Sequence, residues 1–287
     1  MIKIGIYKPD SAFLPEVKAY YDYFNAQVGF SCEIINNYND NCDYNVLICF
    51  YGFIPFSLKT KALFVSEYNS LSTGRFCFLK DVFKRLFNKK SRIPIALNEY
   101  VRDRLLMPKG TLLRPMGYFK ELVKERGCIE YDVVYSGTLK RPGVIDCLKG
   151  MARHGFHVAV IGSDDDLGDN ITSLGRLSLE EVYEIYSKSN YGLNFTPNCF
   201  PYNKQDSTKV IEYCAAGLKV ITNRYEWVES FERKIGATFF YIDDGYSKED
   251  ISDFDFCTPL LKEYDWFNII ESSGLKFRII NLIENNQ

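Results

Sequence analysis

The sequence has 287 residues and a formal net charge of −2, from 35 basic and 37 acidic side chains. Hydrophobic residues make up 46% of it and charged residues 25%, a globular composition that excludes wholesale disorder. The near-neutral charge argues against a protein that coats nucleic acid, because such proteins carry a clear excess of lysine and arginine. The length suggests about two domains.

Cysteine usage and the N-terminus indicate the compartment. The nine cysteines include no Cys-x-x-Cys pair, which is typical of reduced thiols in the cytosol and not of a zinc site. The first residues lack the apolar core of a signal peptide. The longest apolar run, 46–56, is too short to span a bilayer. We therefore expect a cytoplasmic protein, which could still lie peripherally on the inner face of the cytoplasmic membrane.

The first half alternates short apolar segments with amphipathic ones. The pattern predicts strands at 2–7, 32–35, 45–50, 62–65 and 93–97, and helices at 16–27, 76–87 and 99–106. A polar turn is predicted at 66–70. Continuous apolar strands between helices are typical of a parallel sheet that is covered on both faces.

The same alternation restarts in the second half. Strands are predicted at 132–135, 157–161, 191–195 and 218–222, and helices at 144–154, 179–187 and 209–216. The expected organisation is a first Rossmann-like domain at 1–120, a second at 121–262 and closing helices at 263–287. The predicted fold class is α/β, with two tandem doubly wound Rossmann-like domains and a ligand cleft between them.

Residues 206–222 are the most informative segment. Asp206, Ser207 and Thr208 can cap a helix. Lys209 and Glu212 are three residues apart and therefore share one face of its first turn. Free N–H groups and the helix dipole attract phosphate there, Lys209 adds a charge, and Glu212 could accept hydrogen bonds from a ribose diol. The alternative is an ordinary capped helix with an internal ion pair.

The run 208–222 resembles the donor-binding segment of GT-B glycosyltransferases of the family 4-like group. Residues 133–141 resemble the first strand and phosphate loop of that group's second domain, and 158–163 resemble its second strand. Residues 174–195 resemble the segment before the donor loop. Over the first half the resemblance is architectural.

The resemblance implies that the domain at 1–120 binds the acceptor and that the domain at 121–262 binds a nucleotide sugar. Glu212 would bind the ribose and Leu177 the nucleobase. The diphosphate would be held by Lys209, by Lys140 or Arg141, and by the backbone N–H groups of Gly137 and Thr138. The residues implied in donor binding are Gly137, Thr138, Lys140, Arg141, Leu177, Lys204, Ser207, Thr208, Lys209 and Glu212.

The donor would be UDP- or GDP-linked, and this group usually needs neither a metal nor another cofactor. Asp-x-Asp spacing at 164–166 and 253–255 is interpreted as solvated loops. Two positions depart from the group's pattern: Lys204 replaces the first of two glutamates, and Thr138 replaces an arginine. Lys204 could face an acidic sugar or a phosphate, or simply face solvent.

The acceptor half offers two candidate catalytic residues. Glu67 follows a predicted strand end, and a carboxylate there could serve as general base toward an acceptor hydroxyl. Asp10, after the first strand, is the second candidate. The alternative for each is loop capping or hydrogen bonding to an acceptor.

Residues 76–92 form a basic amphipathic segment. An apolar face of Phe76, Leu79, Val82, Phe83, Leu86 and Phe87 is flanked by Lys80, Lys84, Arg85, Lys89 and Lys90. Such a helix can lie on an anionic membrane surface. The alternative is an ordinary sheet-covering helix with a charged outer face.

The resemblance thus predicts a hexosyltransferase-like enzyme that moves a sugar from a nucleotide donor to a saccharide or lipid-linked saccharide. Its expected role is bacterial surface polysaccharide assembly, such as O-antigen, capsule or lipopolysaccharide. Two alternatives stay open. One is a nucleotide-sugar epimerase, and the other is a non-catalytic nucleotide-sugar-binding partner of another transferase.

Overall fold

The computed structural model describes residues 1–8, 14–37, 43–50, 60–72 and 74–285. The chain forms two compact units. The first comprises Met1–Met116 together with Trp266–Gln287, and the second comprises Gly117–Asp265.

The strands of the described residues form two six-stranded sheets, one in each unit. In the first unit they are β1 (Ile2–Tyr7), β2 (Phe30–Ile35), β3 (Val46–Phe50), β4 (Leu63–Tyr68), β5 (Ile93–Ala96) and β6 (Leu112–Leu113). In the second unit they are β7 (Tyr131–Ser136), β8 (Val158–Ile161), β9 (Ile171–Ser173), β10 (Ser189–Asn194), β11 (Lys219–Thr222) and β12 (Phe240–Tyr241).

Helices follow most of these strands. They are α1 (Pro15–Asn25), α2 (Cys77–Phe87), α3 (Glu99–Arg104), α4 (Val144–Arg153), α5 (Leu179–Ser187), α6 (Thr208–Ala215), α7 (Glu226–Ile235), α8 (Lys248–Asp253), α9 (Trp266–Ser272) and α10 (Leu275–Glu284). The longest of them, α1 and α2, have 11 residues, whereas a membrane-spanning helix needs about 20. No helix in the described part of the chain can therefore cross a bilayer.

The sheet of the first unit has the order β2-β1-β3-β4-β5-β6, and its strands pair in parallel. Every residue of β3 is buried, as expected for a central strand that is covered on both faces. Leu47, Cys49 and Phe64 lie in one of its core clusters.

The sheet of the second unit has the order β12-β11-β10-β7-β8-β9 and is also parallel. The chain runs from β7 to β9 in one direction, then returns to β10 on the other side of β7. The strand order thus reverses between β7 and β10, and open α/β sheets bind ligands at the carboxyl ends of such a pair. The predicted doubly wound α/β fold is confirmed.

Most predicted elements agree with the structure to within about two residues, the usual ambiguity of element ends. The predicted turn at 66–70 is wrong, because β4 continues through Tyr68. Ser66 and Glu67 are buried in that strand, where the Ser66 hydroxyl lies 2.6 Å from the Ser91 hydroxyl and Glu67 pairs with Arg114. Polar side chains in a strand are stable when distant partners satisfy them. Elements that the sequence did not predict are β6, β9, β12, α7 and α8.

Candidate functional site

A cavity of about 180 Å³ opens at the switch point of the second unit. It is lined by the ends of β7 and β10, the loop after β7, and the segment leading into α6. The lining residues are Tyr135, Ser136, Gly137, Thr138, Arg141, Leu193, Asn194, Phe195, Thr196, Tyr202, Gln205, Asp206, Ser207, Thr208 and Lys209. Pockets that enclose a whole drug-sized ligand usually measure roughly 300–1,000 Å³. This cavity can therefore hold only part of such a ligand.

The loop after β7 supplies one wall of the cavity. The Gly137 N–H donates to the Ile161 carbonyl oxygen at 3.0 Å, so a phosphate could use this N–H only after that bond breaks. Gly162 has φ +109, and a Cβ there would lie 2.8 Å from the Gly137 carbonyl oxygen. A glycine at 162 therefore lets the loops after β7 and β8 pack backbone against backbone. The Arg141 guanidinium lies 5.6 Å from the ring centre of Tyr202, within the same cavity.

The N-terminus of α6 supplies the opposite wall. The Ser207 hydroxyl caps the helix by accepting a hydrogen bond from the Val210 N–H at 3.4 Å. The positive end of the helix dipole therefore faces the cavity, together with Lys209. Gly217, with φ +71, follows the helix and allows the chain to turn into β11.

A buried polar network fixes the floor of the cavity. The Ser207 hydroxyl donates to Asn194 Oδ1 at 2.9 Å, and Asn194 Nδ2 donates to the Thr222 and Tyr225 hydroxyls at 2.9 and 3.1 Å. Burial raises the pKa of Tyr225 to about 12, so its hydroxyl keeps its proton at neutral pH. The network connects the end of β10 to the start of α6 and thereby fixes the positions of these two elements around the cavity.

Lys209 and Glu212 share one face of α6, as their spacing predicts. Lys209 Nζ lies 2.9 Å from Glu212 Oε2, and the Tyr186 hydroxyl donates to the same oxygen at 3.1 Å. Glu212 is buried, whereas the Lys209 side chain is 29% exposed and lines the cavity. Glu212 therefore sits behind Lys209 and orients its ammonium group.

Residues 141–245 match a family model described as "Glycosyl transferase-like". No curated protein sequence matches the chain. Among solved structures it is similar to AviGT4, a glycosyltransferase involved in avilamycin A biosynthesis. That similarity has a TM-score of 0.69 and 10% identity, over 97% of each chain. It is also similar to S. aureus MnaA in a co-structure with UDP, with a TM-score of 0.50 and 9% identity over 99% of this chain and 96% of that one.

Part of the second unit therefore matches a glycosyl transferase-like family model, and the chain has the same fold as the glycosyltransferase AviGT4. The structural similarity extends over 97% of the chain, whereas the family model matches part of the second unit. The matched range includes Arg141 and the segment leading into α6, whereas the cavity residues Tyr135 to Thr138 precede it. The fold predicted from the sequence is confirmed.

The predicted donor residues divide into two sets. Gly137, Thr138, Arg141, Ser207, Thr208 and Lys209 line the cavity. Among the described residues, Lys140, Leu177, Lys204 and Glu212 lie outside its lining. Lys140 is exposed, Leu177 is half-buried, and Lys204 forms an ion pair with Glu226.

The candidate base Glu67 lies in the first unit and is completely buried. Its Oε1 accepts from Arg114, which is also completely buried and donates to Asn69 Oδ1 at 2.7 Å. A carboxylate locked in this way cannot meet an acceptor hydroxyl without leaving its ion pair, so the geometry favours a structural role. Asp10 lies outside the described residues.

Sequence reasoning missed Asn194, Tyr225 and Asn223. The amide of Asn223 bridges to the Thr196 backbone through two hydrogen bonds of 2.8 Å. Asn194 is a polar residue that ends an otherwise buried strand beside the switch point, and that position was a usable signal. Tyr225 and Asn223 carry no local signal, because their partners are about 30 residues away.

Proposed function

We propose that the chain is a glycosyltransferase that transfers a sugar from a nucleoside-diphosphate donor to a saccharide or lipid-linked saccharide. One observation carries the proposal: Arg141, Lys209 and the N-terminus of α6 line a single cavity at the topological switch point. Two cations and a helix dipole face a single carboxylate in that cavity, Asp206. This is the electrostatic environment that a departing diphosphate requires.

In this proposal Lys209 stabilises the leaving diphosphate. Lys209 lies in the first turn of α6, where its ammonium group pairs with Glu212, and the Tyr186 hydroxyl donates to the same carboxylate. Arg141, which lines the cavity near the loop after β7, would bind the diphosphate as well. Thr208 offers a hydroxyl at the helix N-terminus, whereas the Ser207 hydroxyl already donates to Asn194. The ribose contact of Glu212 and the nucleobase contact of Leu177 are further proposals drawn from the family resemblance.

UDP is the first nucleotide to test, because MnaA has been solved with it. We propose further that the enzyme is hexosyltransferase-like and works without a metal or another cofactor. Its place would be bacterial surface polysaccharide assembly at the inner face of the cytoplasmic membrane. The family resemblance and the lipid-linked acceptors common in that group support this setting.

Donor turnover tests the proposal. Purified protein is incubated with a panel of UDP- and GDP-sugars, with and without a mixture of oligosaccharide and lipid-linked acceptors, and released nucleoside diphosphate is measured. We expect release from one donor that depends on the acceptor and persists with a chelator. Lys209→Met should lower the rate about 10- to 100-fold, the value of a charge-assisted hydrogen bond. Lys149 on α4 is exposed, so Lys149→Met is the matched control and should retain full activity.

The alternatives give different results. Isomerisation of the donor sugar without any acceptor would identify an epimerase instead. Nucleotide binding without turnover of any donor would identify a non-catalytic binding partner.

A further inference from the structure

The helix α2 in the first unit is packed with Asp81, and not with its apolar side chains, toward the body of the unit. Asp81 is the buried residue of this helix, and its Oδ1 accepts from the Ser72 N–H at 2.9 Å. Leu79 and Phe83 each lie two residues from Asp81. At about 100° per residue they project to the opposite side of the helix. The apolar side therefore faces away from the body of the unit.

Exposure values agree with that orientation. Leu79, Phe83 and Leu86 are 59, 49 and 62% exposed, and Phe76 and Phe87 are also exposed. An ordinary sheet-covering helix would bury these side chains. That alternative from the sequence is therefore wrong.

The apolar surface continues into two open grooves beside the helix. One is formed with Leu71, against Leu79 and Phe83. The other is formed by Phe78 and Val82 with Leu105 and Leu106, and charged side chains also line it, namely Asp81, Arg85, Asp103 and Arg104. A contiguous apolar surface of this kind on a monomer marks an interaction site.

Positive charge surrounds this surface. Residues 75–92 contain seven arginines and lysines and one acidic residue, Asp81, which is the buried one. The segment carries a net charge of +6, although the whole chain carries −2. The basic residues are Arg75, Lys80, Lys84, Arg85, Lys89, Lys90 and Arg92.

We propose that α2 docks on an anionic lipid bilayer, with its apolar side chains in the acyl boundary and its basic residues against the headgroups. An exposed apolar stripe inside a cationic rim is the chemistry that an anionic membrane surface complements. A second copy of the chain fits poorly, because pairing two such faces would bring their positive charges together. The proposal stands independently of the transferase activity.

Vesicle flotation tests this docking. The full chain is mixed with vesicles of phosphatidylcholine alone, or of phosphatidylcholine with phosphatidylglycerol. We expect flotation only with phosphatidylglycerol, weakening as salt rises. Replacing Lys80, Arg85 and Lys90 with glutamine should lower the partitioning of the protein onto these vesicles on the order of 100-fold, because each lost charge contributes about fivefold. A control variant with the same charge loss replaces the exposed lysines Lys3, Lys61 and Lys109 and should partition as the wild type does.

A second variant tests the apolar contribution. Replacing Leu79, Phe83 and Leu86 with serine should also abolish flotation, and because these side chains are exposed the thermal midpoint should not fall. Equal flotation with both lipid compositions, or none with either, would overturn the proposal. So would a dimer in sedimentation velocity that the serine variant dissociates. All variants should bind nucleotide as the wild type does, so failure here is distinguishable from failure of the proposed function.

Discussion

Arg114 holds a buried charge cluster in the first unit together, so its replacement should be costly. Its side chain donates to Glu67, to Asn69 Oδ1 at 2.7 Å and to the Pro115 carbonyl oxygen at 3.1 Å. A second buried carboxylate, Glu16, lies 3.9 Å from its guanidinium. Arg114→Met would leave both carboxylates buried without a cation. Breaking a buried ion pair lowers the free energy of unfolding by about 3–5 kcal/mol. Two carboxylates would lose their cation here, so we expect a loss near the upper end of that range.

The loss should depend on pH. Burial raises the pKa of both Glu16 and Glu67, and Arg114 lowers it. Without Arg114 the folded-state pKa values rise further above the ordinary value of 4.5. A carboxyl group whose pKa is higher in the folded state than in the unfolded state contributes stability that is fully present below the unfolded-state pKa. That contribution to the unfolding free energy is lost as pH rises through the folded-state pKa. The deficit of Arg114→Met should therefore be smaller at about pH 5 than at about pH 8.

Urea unfolding at both pH values measures these effects. The ring of Trp266 lies 5.2 Å from the Arg114 guanidinium, so in a Trp227→Phe background its fluorescence reports on the first unit. Arg92 is exposed, and Arg92→Met is the control, expected within about 0.5 kcal/mol of the parent. A deficit below about 1 kcal/mol for Arg114→Met, or one that grows at low pH, would refute the reasoning.

Two further substitutions test the scaffold of the cavity. Gly192→Ala would place a Cβ 2.4 Å from Cγ of Tyr213, whose hydroxyl bridges β7 and β10. The overpacking should lower the free energy of unfolding by about 1–3 kcal/mol. Thermal melting should show this as a lower midpoint, and an unchanged midpoint would contradict the packing described. Ser207→Ala removes the cap of α6 and the partner of Asn194. It should cost about 1 kcal/mol, measured by urea unfolding, whereas Ser207→Asn should recover part of the loss because asparagine also caps helices.

Local sequence patterns predicted most helices and strands, whereas contacts between distant residues determine how the polar side chains are paired. The spacing of Lys209 and Glu212 predicted their shared face, and the ion pair follows from it. Tyr186, the third member of that group, comes from α5, 26 residues earlier, and no local pattern could indicate it. Glu67 resembled a turn residue because its partner Arg114 lies 47 residues away.

The helix α2 shows the same limit in another form. Its periodicity located the helix to within one residue, at Cys77–Phe87. Periodicity shows that a helix has an apolar side, and does not show whether the fold covers that side. Here the hydrogen bond from the Ser72 N–H to Asp81 holds Asp81 inward and leaves the apolar side exposed.

Nucleotide binding tests the central claim, that the cavity between β7, β10 and α6 binds a nucleoside diphosphate. Isothermal titration of UDP and GDP, with uridine and guanosine as phosphate-free controls, should show binding of one diphosphate and much weaker binding of its nucleoside. Lys209→Met should weaken that binding about 10- to 100-fold, and Lys149→Met should leave it unchanged. No binding of either diphosphate, or equal affinity in Lys209→Met, would contradict the account.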